Sequence, residues 1–325
     1  MSVVYKRTPA VDIIDDWFAS VLTCDFIALE SLRKKVDINV KNRDGNTALI
    51  VACKTKIEEL VEWLLSLKPE LDIRGEWGHT ALTIASFGDN HEVVYLLLEA
   101  GANVNSRTDN GNTALEFASD ALTIKCLIKA GACLTVVNDY YESILCSAIF
   151  NRNAEKVRLL AEAGIDVNVK DKDGKYMLSI AVSNIGRCKD IVYTLIKYSS
   201  KKELDRAEVI SGGGGLNVLG YACVTGNATL VKALLDKGVT VEKGWCDTNT
   251  DVRCTQTSLG LAIGYKFYNI VAILLRAGAR TVTDKDNDTH NYSTPDSKQE
   301  ALDTYVKNMN KQDAVKIALL ALGEE

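Results

Sequence analysis

The sequence predicts an all-α solenoid of helix-turn-helix units joined by β-hairpin-like fingers. Two recurring signatures and the fixed spacing between copies carry that prediction. The first signature is GNTALIVA at 45–52, which returns as GHTALTIA at 78–85 and GNTALEFA at 111–118, each copy 33 residues after the last. Looser copies follow: YESILCSA at 141–148, GKYMLSIA at 174–181, then 215–222 and 255–262. The second signature, an apolar pair and a small-residue turn, keeps step with the first: LLEAGA at 97–102, LIKAGA at 127–132, LAEAGI at 160–165, LLDKGV at 234–239 and LLRAGA at 274–279. Two signatures locked in phase define one folding unit.

Each unit reads the same way. Thr80 offers its hydroxyl to free amides as the cap of a first helix, and Leu82, Ile84 and Ala85 supply that helix's packed face. Val93, Val94, Leu97 and Leu98 recur at helical spacing in a second helix, which stops at Gly101, where a left-handed cap needs no β-carbon. The stretch ANVNSRTDNG at 102–111 is rich in turn formers and makes the finger. Two short helices cannot bury both apolar faces alone, and covering one Leu with a neighbour is worth roughly 1.5–3 kcal/mol, so stability has to come from stacking.

These residues and their period resemble the ankyrin repeat. The family pattern, D-x-x-G-x-T-P-L-H-x-A followed by a helix pair, L-L-x-x-G-A-x-x-N and a period of 33, covers about residues 44–283. The Pro of the family motif is Ala48, Ala81 and Ala114 here, and its His is Ile50, Thr83, Glu116, Cys146, Ser179, Gly220 and Gly260. The resemblance implies fingers set at right angles to the helices. It also implies a protein or peptide partner held by finger tips and the exposed face of the first helices. In some members of the family, residues at the position of Asn39, Asn105 and Asn168 are hydroxylated; side-chain hydrogen bonding that shapes the turn is the expectation here.

The whole chain, 1–325, is then one domain: an N-terminal capping unit at 11–43, seven repeats at 44–283 and a C-terminal capping unit at 284–323. In the first cap, Ile13, Ile14, Phe18 and Leu22 are expected to face inward and Asp12, Asp15, Asp16 and Ser20 outward. A second helix over 25–34 and a finger at 36–40 follow. In the last cap, Thr294-Pro295-Asp296 reads as a helix start. Nine layers roughly 8–10 Å apart would make a curved rod on the order of 80 Å long.

Three irregularities break the pattern. The finger between Tyr198 and Leu216 is lengthened by eight residues and holds glycines at 212–215. Neither the Lys-Ser/Thr of a P-loop nor a preceding strand accompanies them, so a flexible hairpin is expected rather than a nucleotide site. The finger at 241–255 is longer by seven and carries Trp245, Cys246 and Cys254. The fourth unit is three residues short between its helices, at Ser119–Thr123, which should alter stacking and curvature only.

Composition excludes several functions. A net charge of −5 and a pI near 5.5 leave no cationic excess for a phosphate backbone or an anionic membrane. Asp12, Asp15 and Asp16 interrupt any signal-peptide run, no stretch approaches the roughly 20 apolar residues of a span, and a cytoplasmic monomer is expected. Nine cysteines without a C-x-x-C pair read as reduced core residues, Cys246 and Cys254 being the pair that could staple a loop. With three histidines, His79, His91 and His290, no nucleophile-base-orienter set emerges, so no enzyme is expected. DKDND at 284–288 lacks the Gly and closing Glu of a calcium loop. Neither cofactor nor metal is expected.

The unconstrained slots nominate the binding face. Around the Gly-x-Thr turns they hold Trp77, His79, Arg107, Asn110, Tyr140, Tyr141 and Lys172; at the ends of first helices, Phe87, Arg152 and Tyr265; on the enlarged finger, Trp245. Aromatics and Arg give large contacts at modest entropy cost, which singles out Trp77, Tyr140 and Tyr141. The function expected is a non-enzymatic scaffold that holds a protein or peptide on its concave face. Alternatives are an effector that binds a protein of another organism's cytosol, and a small-ligand or nucleotide sensor.

Overall fold

The structure, a computed structural model, describes residues 9–140, 142–206, 208–211, 214–241 and 257–279. The C-terminal cap expected at 284–323, with His290 and the 284–288 segment, lies outside them, as do Tyr141, Trp245, Cys246 and Cys254. The chain divides into two compact parts, Met1–Ile165 and Asp166–Glu325.

The N-terminal part stacks helix pairs: α1 (Pro9–Thr23) with α2 (Phe26–Leu32), α3 (Ala48–Thr55) with α4 (Glu58–Ser66), α5 (Ala81–Phe87) with α6 (His91–Glu99), α7 (Ala114–Phe117) with α8 (Ala121–Lys129), and α9 (Ile144–Phe150) with α10 (Ala154–Glu162). First helices α1, α3, α5, α7 and α9 touch in sequence and form one layer; α4, α6, α8 and α10 form the other. Leu82, Leu97, Leu115, Leu127, Leu145 and Leu160 are wholly buried between the layers. The C-terminal part repeats the plan with α11 (Met177–Ser183) and α12 (Ile185–Tyr198), then α14 (Val218–Val224) with α15 (Ala228–Asp236) and α16 (Ser258–Gly264) with α17 (Tyr268–Arg276).

Side-chain oxygens cap most first helices, although Thr113 at the start of α7 makes no side-chain cap bond. Thr47 Oγ1 accepts from the Ile50 amide at 3.3 Å, and Thr80 and Thr83 form a reciprocal capping box. Ser143, Asn217 and Thr257 cap α9, α14 and α16 in the same slot, whereas Tyr176 leaves α11 without a side-chain cap. Second helices have their own caps in Asp25, Asn90, Asp120, Asn153 and Asn227.

Three expectations are corrected. Among the described residues, the fingers other than the lengthened one at 198–216 are turns rather than hairpins: isolated antiparallel bridges, Lys41 to Thr47, Val137 to Ser143 and Lys170 to Tyr176, close three of them. The lengthened finger instead holds an unforeseen helix, α13 (Lys201–Arg206), and two four-residue segments, β1 (Glu208–Ser211) and β2 (Gly214–Asn217), in antiparallel register. The inward face of α1 runs through Trp17, Phe18, Ser20 and Val21, and Leu22 points outward. Ser20 is tolerated inside because its hydroxyl donates to the Asp16 carbonyl at 2.8 Å.

Adjacent fingers are tied by Asx side chains. Asn39 Oδ1 accepts from the Glu70 amide (2.9 Å), Asp72 from Asn103 (3.0 Å), Asn105 from Cys133 (2.8 Å) and Asp205 from Thr240 (2.8 Å), while Asn168 accepts from the Ser199 hydroxyl (2.9 Å). Asn39, Asn105 and Asn168 thus hold one finger to the next.

The shortened fourth unit does more than change curvature. Its first helix, α7, is a single turn, and its end is finished by side chains from both neighbours. Asp89 Oδ1, from the preceding unit, accepts from the amides of Ser119 (2.8 Å) and Asp120 (2.9 Å). From the following unit, Asn153 Nδ2 donates to Ser119 O (2.9 Å) and Lys156 Nζ donates to both Glu116 O and Ala118 O at 2.8 Å. Lys156 is only 4% exposed, and burial pulls its ammonium down to about 8, an effect that Glu116 and Asp89 partly oppose.

That shift fixes the sign of a pH effect. Between pH about 8 and 10.5 the unfolded chain holds the proton that the folded chain has released, so stability rises through this window. Urea titrations of wild type and Lys156→Met should show wild type gaining up to roughly 3 kcal/mol on the variant from pH 7 to 10.5. Parallel profiles for the two proteins would contradict a buried, charged Lys156 at neutral pH.

Candidate functional site

In the N-terminal part, the Gly-x-Thr turn of the third unit and the ends of three first helices enclose a pocket of about 210 Å³. It is lined by Asn46, Lys54, Glu76, Trp77, His79, Ile84, Phe87 and Phe117. Trp77 is 72% and Phe87 70% exposed. The Phe87 ring meets Phe117 edge-on at 6.1 Å between centroids, and His79 lies tilted on Phe117 at 5.1 Å. Such offset and edge contacts suit the ring quadrupole and fix the walls.

The polar groups of the pocket are held by the chain itself. Asn46, buried, accepts the Glu76 amide on Oδ1 at 3.0 Å. Lys54 Nζ lies 3.9 Å from Glu76 Oε2. His79 Nδ1 is 3.1 Å from Thr83 Oγ1, whose own proton goes to Thr80 O at 2.9 Å, so the imidazole donates from Nδ1 and keeps its lone pair on Nε2. Burial, assisted by Lys54, moves the His79 pKa below its ordinary value, which leaves the ring neutral at pH 7.

Trp77 is presented on strained backbone, with φ at 56°, a region that disfavours a bulky side chain. The strain is held by a ladder of finger-to-finger bonds. Lys41 Nζ donates to Arg74 O (2.8 Å), Arg74 Nη2 to Asp109 Oδ1 (2.5 Å) and the Asp109 amide to Trp77 O (3.0 Å). One unit on, Arg107 donates to Gly111 O (2.9 Å) and Val137 O (2.8 Å), and the Asp139 amide to Asn110 O (3.1 Å). The ladder ends beside Tyr140, a tip residue 59% exposed.

Of the residues nominated from sequence, Trp77, His79 and Phe87 come together in the pocket, and Tyr140 stands on the same row of fingers. Asn110 is an exposed tip, and Arg107, although exposed, is committed to carbonyls of the chain. Arg152 is exposed at the turn between α9 and α10. Lys172 and Tyr265 belong to the C-terminal part, Lys172 exposed on a turn that Asp171 organises and Tyr265 stacked on Phe267 at 6.2 Å. Sequence reasoning missed Phe117, which occupies the slot of Val51, Ile84, Ile180 and Leu261, apolar in most copies and therefore read as core. It also missed Lys54, whose approach to Glu76, itself a variable slot of the Gly-x-Thr turn, is not local in sequence.

Among the described residues there is no group of three or more His, Cys, Asp or Glu placed to hold a metal, and no helix long and apolar enough to cross a membrane.

Stacked helix pairs, buried inter-layer leucines and a row of rigid, aromatic-bearing tips define a helical-repeat protein whose exposed chemistry is that of contact. Comparison with known families matches ankyrin repeats, in three copies, over residues 21–108, 58–138 and 178–286. The chain belongs to the ankyrin-repeat family, whose solenoid is typical of protein-interaction scaffolds. It is similar to the nuclear factor NF-kappa-B p105 subunit of Gallus gallus, 30% identical over 158 residues, 49% of this chain and 15% of that protein. It is also similar to the ankyrin repeat protein FPV115 of fowlpox virus (strain NVSL), 28% identical over 185 residues, 47% of this chain and 32% of that protein. The chain thus spans under a third of either relative's length. Its fold is shared with the crystal structure of an ankyrin repeat domain from Acinetobacter baumannii AYE, at TM-score 0.52 and 24% identity, over 56% of this chain and 96% of that one.

Proposed function

We propose that this chain is a cytoplasmic, monomeric scaffold that holds a protein or peptide on the face formed by Trp77, His79, Phe87 and Tyr140. The single 1–325 array with caps at 11–43 and 284–323 belongs to the same reading. One observation carries it: two large aromatics, each more than two-thirds exposed, border a pocket whose backbone is locked by its own ladder. Leaving such rings in water is unfavourable unless a partner covers them, and rigid aromatic anchors of this kind dominate interface energies. Arg107 supports this face by holding the fingers, and Asn110 and Arg152 would add contacts around it; Lys172 and Tyr265, on the C-terminal part, would offer contacts of that part's own. The expected partner-binding role of Tyr141 and Trp245 falls on residues outside the described structure.

The test is quantitative capture of partners from the native host with wild type and a Trp77→Ala, Phe87→Ala, Tyr140→Ala triple variant shown by circular dichroism to fold. Recovery should fall at least about 100-fold, the scale of losing two anchors. Undiminished capture by the folded variant would place binding elsewhere.

A further inference from the structure

We infer that the pocket between Trp77, His79, Phe87 and Phe117 seats one uncharged, bulky apolar side chain of the partner segment. This rests on the preceding assignment of the binding face and adds the chemistry of the occupant.

Size and charge both point there. An apolar cavity of about 150 Å³ takes a benzene ring, and this pocket, at about 210 Å³, has room for one aromatic or branched aliphatic group. Its walls are mainly ring faces and edges, with Ile84 between them. Aromatic walls beside a carboxylate would ordinarily favour a cation. Here Lys54 lies in the same wall, 3.9 Å from Glu76, so an incoming ammonium meets a resident one. An incoming carboxylate meets Glu76 in turn. The two charges answer each other, Asn46 is occupied by the Glu76 amide, and the imidazole is neutral at pH 7. A charged occupant would therefore lose its hydration without finding an unpaired counter-charge, whereas a neutral apolar one has little to lose.

Three probes of one shape separate the cases: benzyl alcohol, benzylammonium and benzoate, titrated at pH 7.5 into the full chain while the His79 ring and Trp77 indole resonances are followed by NMR. Benzyl alcohol should shift both with millimolar affinity, and each charged probe should bind at least about fivefold more weakly, as expected where desolvation of the ion is uncompensated. Phe87→Asp should abolish the benzyl alcohol shifts of both reporters, and Trp77→Ala, which lacks the indole reporter, should abolish that of His79; both positions are exposed, so folding is retained. Tighter or equal binding of benzylammonium would make the pocket a cation site, equal or tighter binding of benzoate an anion site, and absence of any shift would remove the pocket as a seat. Each of these overturns the inference while leaving the capture experiment unaffected. Selective benzyl alcohol binding combined with undiminished capture by the triple variant would instead overturn the functional assignment and leave the pocket's chemistry standing.

Discussion

Replacing Leu97 with Ala is expected to lower the free energy of unfolding by about 3–5 kcal/mol, the upper range for a fully enclosed leucine. Leu97 has no exposed surface and sits on α6, which packs against α4 on one side and α8 on the other. In a stack, a residue at that position stabilises its own helix pair and two interfaces, so the cavity is felt by three neighbouring units. Urea unfolding followed by far-ultraviolet circular dichroism measures the loss. Leu122→Ala is the control: its side chain is half exposed on α8, and its removal should change stability by no more than about 0.5 kcal/mol. A loss below about 1 kcal/mol at Leu97 would contradict the layered packing around α6.

Gly78→Val is the second large effect, and it acts on the ladder. Gly78 has φ of 72°, and a β-carbon there would stand 2.4 Å from Arg74 Nη2, 2.5 Å from Asp109 Oδ1 and 2.7 Å from the Asp109 amide nitrogen. The arginine can swing away, but the Asp109 backbone cannot without giving up its bond to Trp77 O. Strain and displacement together should reduce stability by roughly 2–4 kcal/mol. Gly45 offers the comparison, since its φ is 80° with nothing within 4 Å of a β-carbon. Gly45→Val should therefore show the backbone strain alone, about 1–2 kcal/mol. Hydrogen exchange at the Asp109 amide should accelerate in Gly78→Val and not in Gly45→Val. Equal thermal midpoints for the two variants would show that Asp109 is not pinned as described.

The repeat was legible because its determinants are local. Thr47, Thr80 and Ser143 cap helices that begin at the next residue, and Leu97 and Gly101 mark a helix end within one turn. Trp77, His79 and Phe87 were nominated for the binding face because they occupy slots that packing leaves open within a single unit. What stayed hidden depends on residues about one period apart. Asp89 reads as an ordinary turn residue until Ser119 and Asp120 are brought to its carboxylate. Lys156 falls among charged positions of an amphipathic helix, and nothing near it in sequence announces two bare carbonyls thirty-eight and forty residues earlier. Phe117 was hidden for the opposite reason: its slot is apolar in most copies and reads as core, yet the structure leaves it only partly buried, as it does Ile84 in the unit before. The inward rotation of α1 could not be read from its own pattern either. Trp17 sits where Trp63 of α4 packs against it, with ring centroids 6.3 Å apart.

The finishing of α7 by Asp89 and Lys156 also bears on how such a chain can be rearranged. Repeat arrays are commonly pictured as beads that can be removed, duplicated or exchanged singly. A crossover that kept the clipped fourth bead and replaced the fifth with a generic one would leave the buried carbonyl of Ala118 and the partly buried one of Glu116 without their donor. One that kept the fifth and restored a full-length fourth would bring a buried lysine up against an already satisfied helix. The third, fourth and fifth beads therefore travel as a block, and the pocket, whose rear wall is Phe117 on that clipped helix, travels with them.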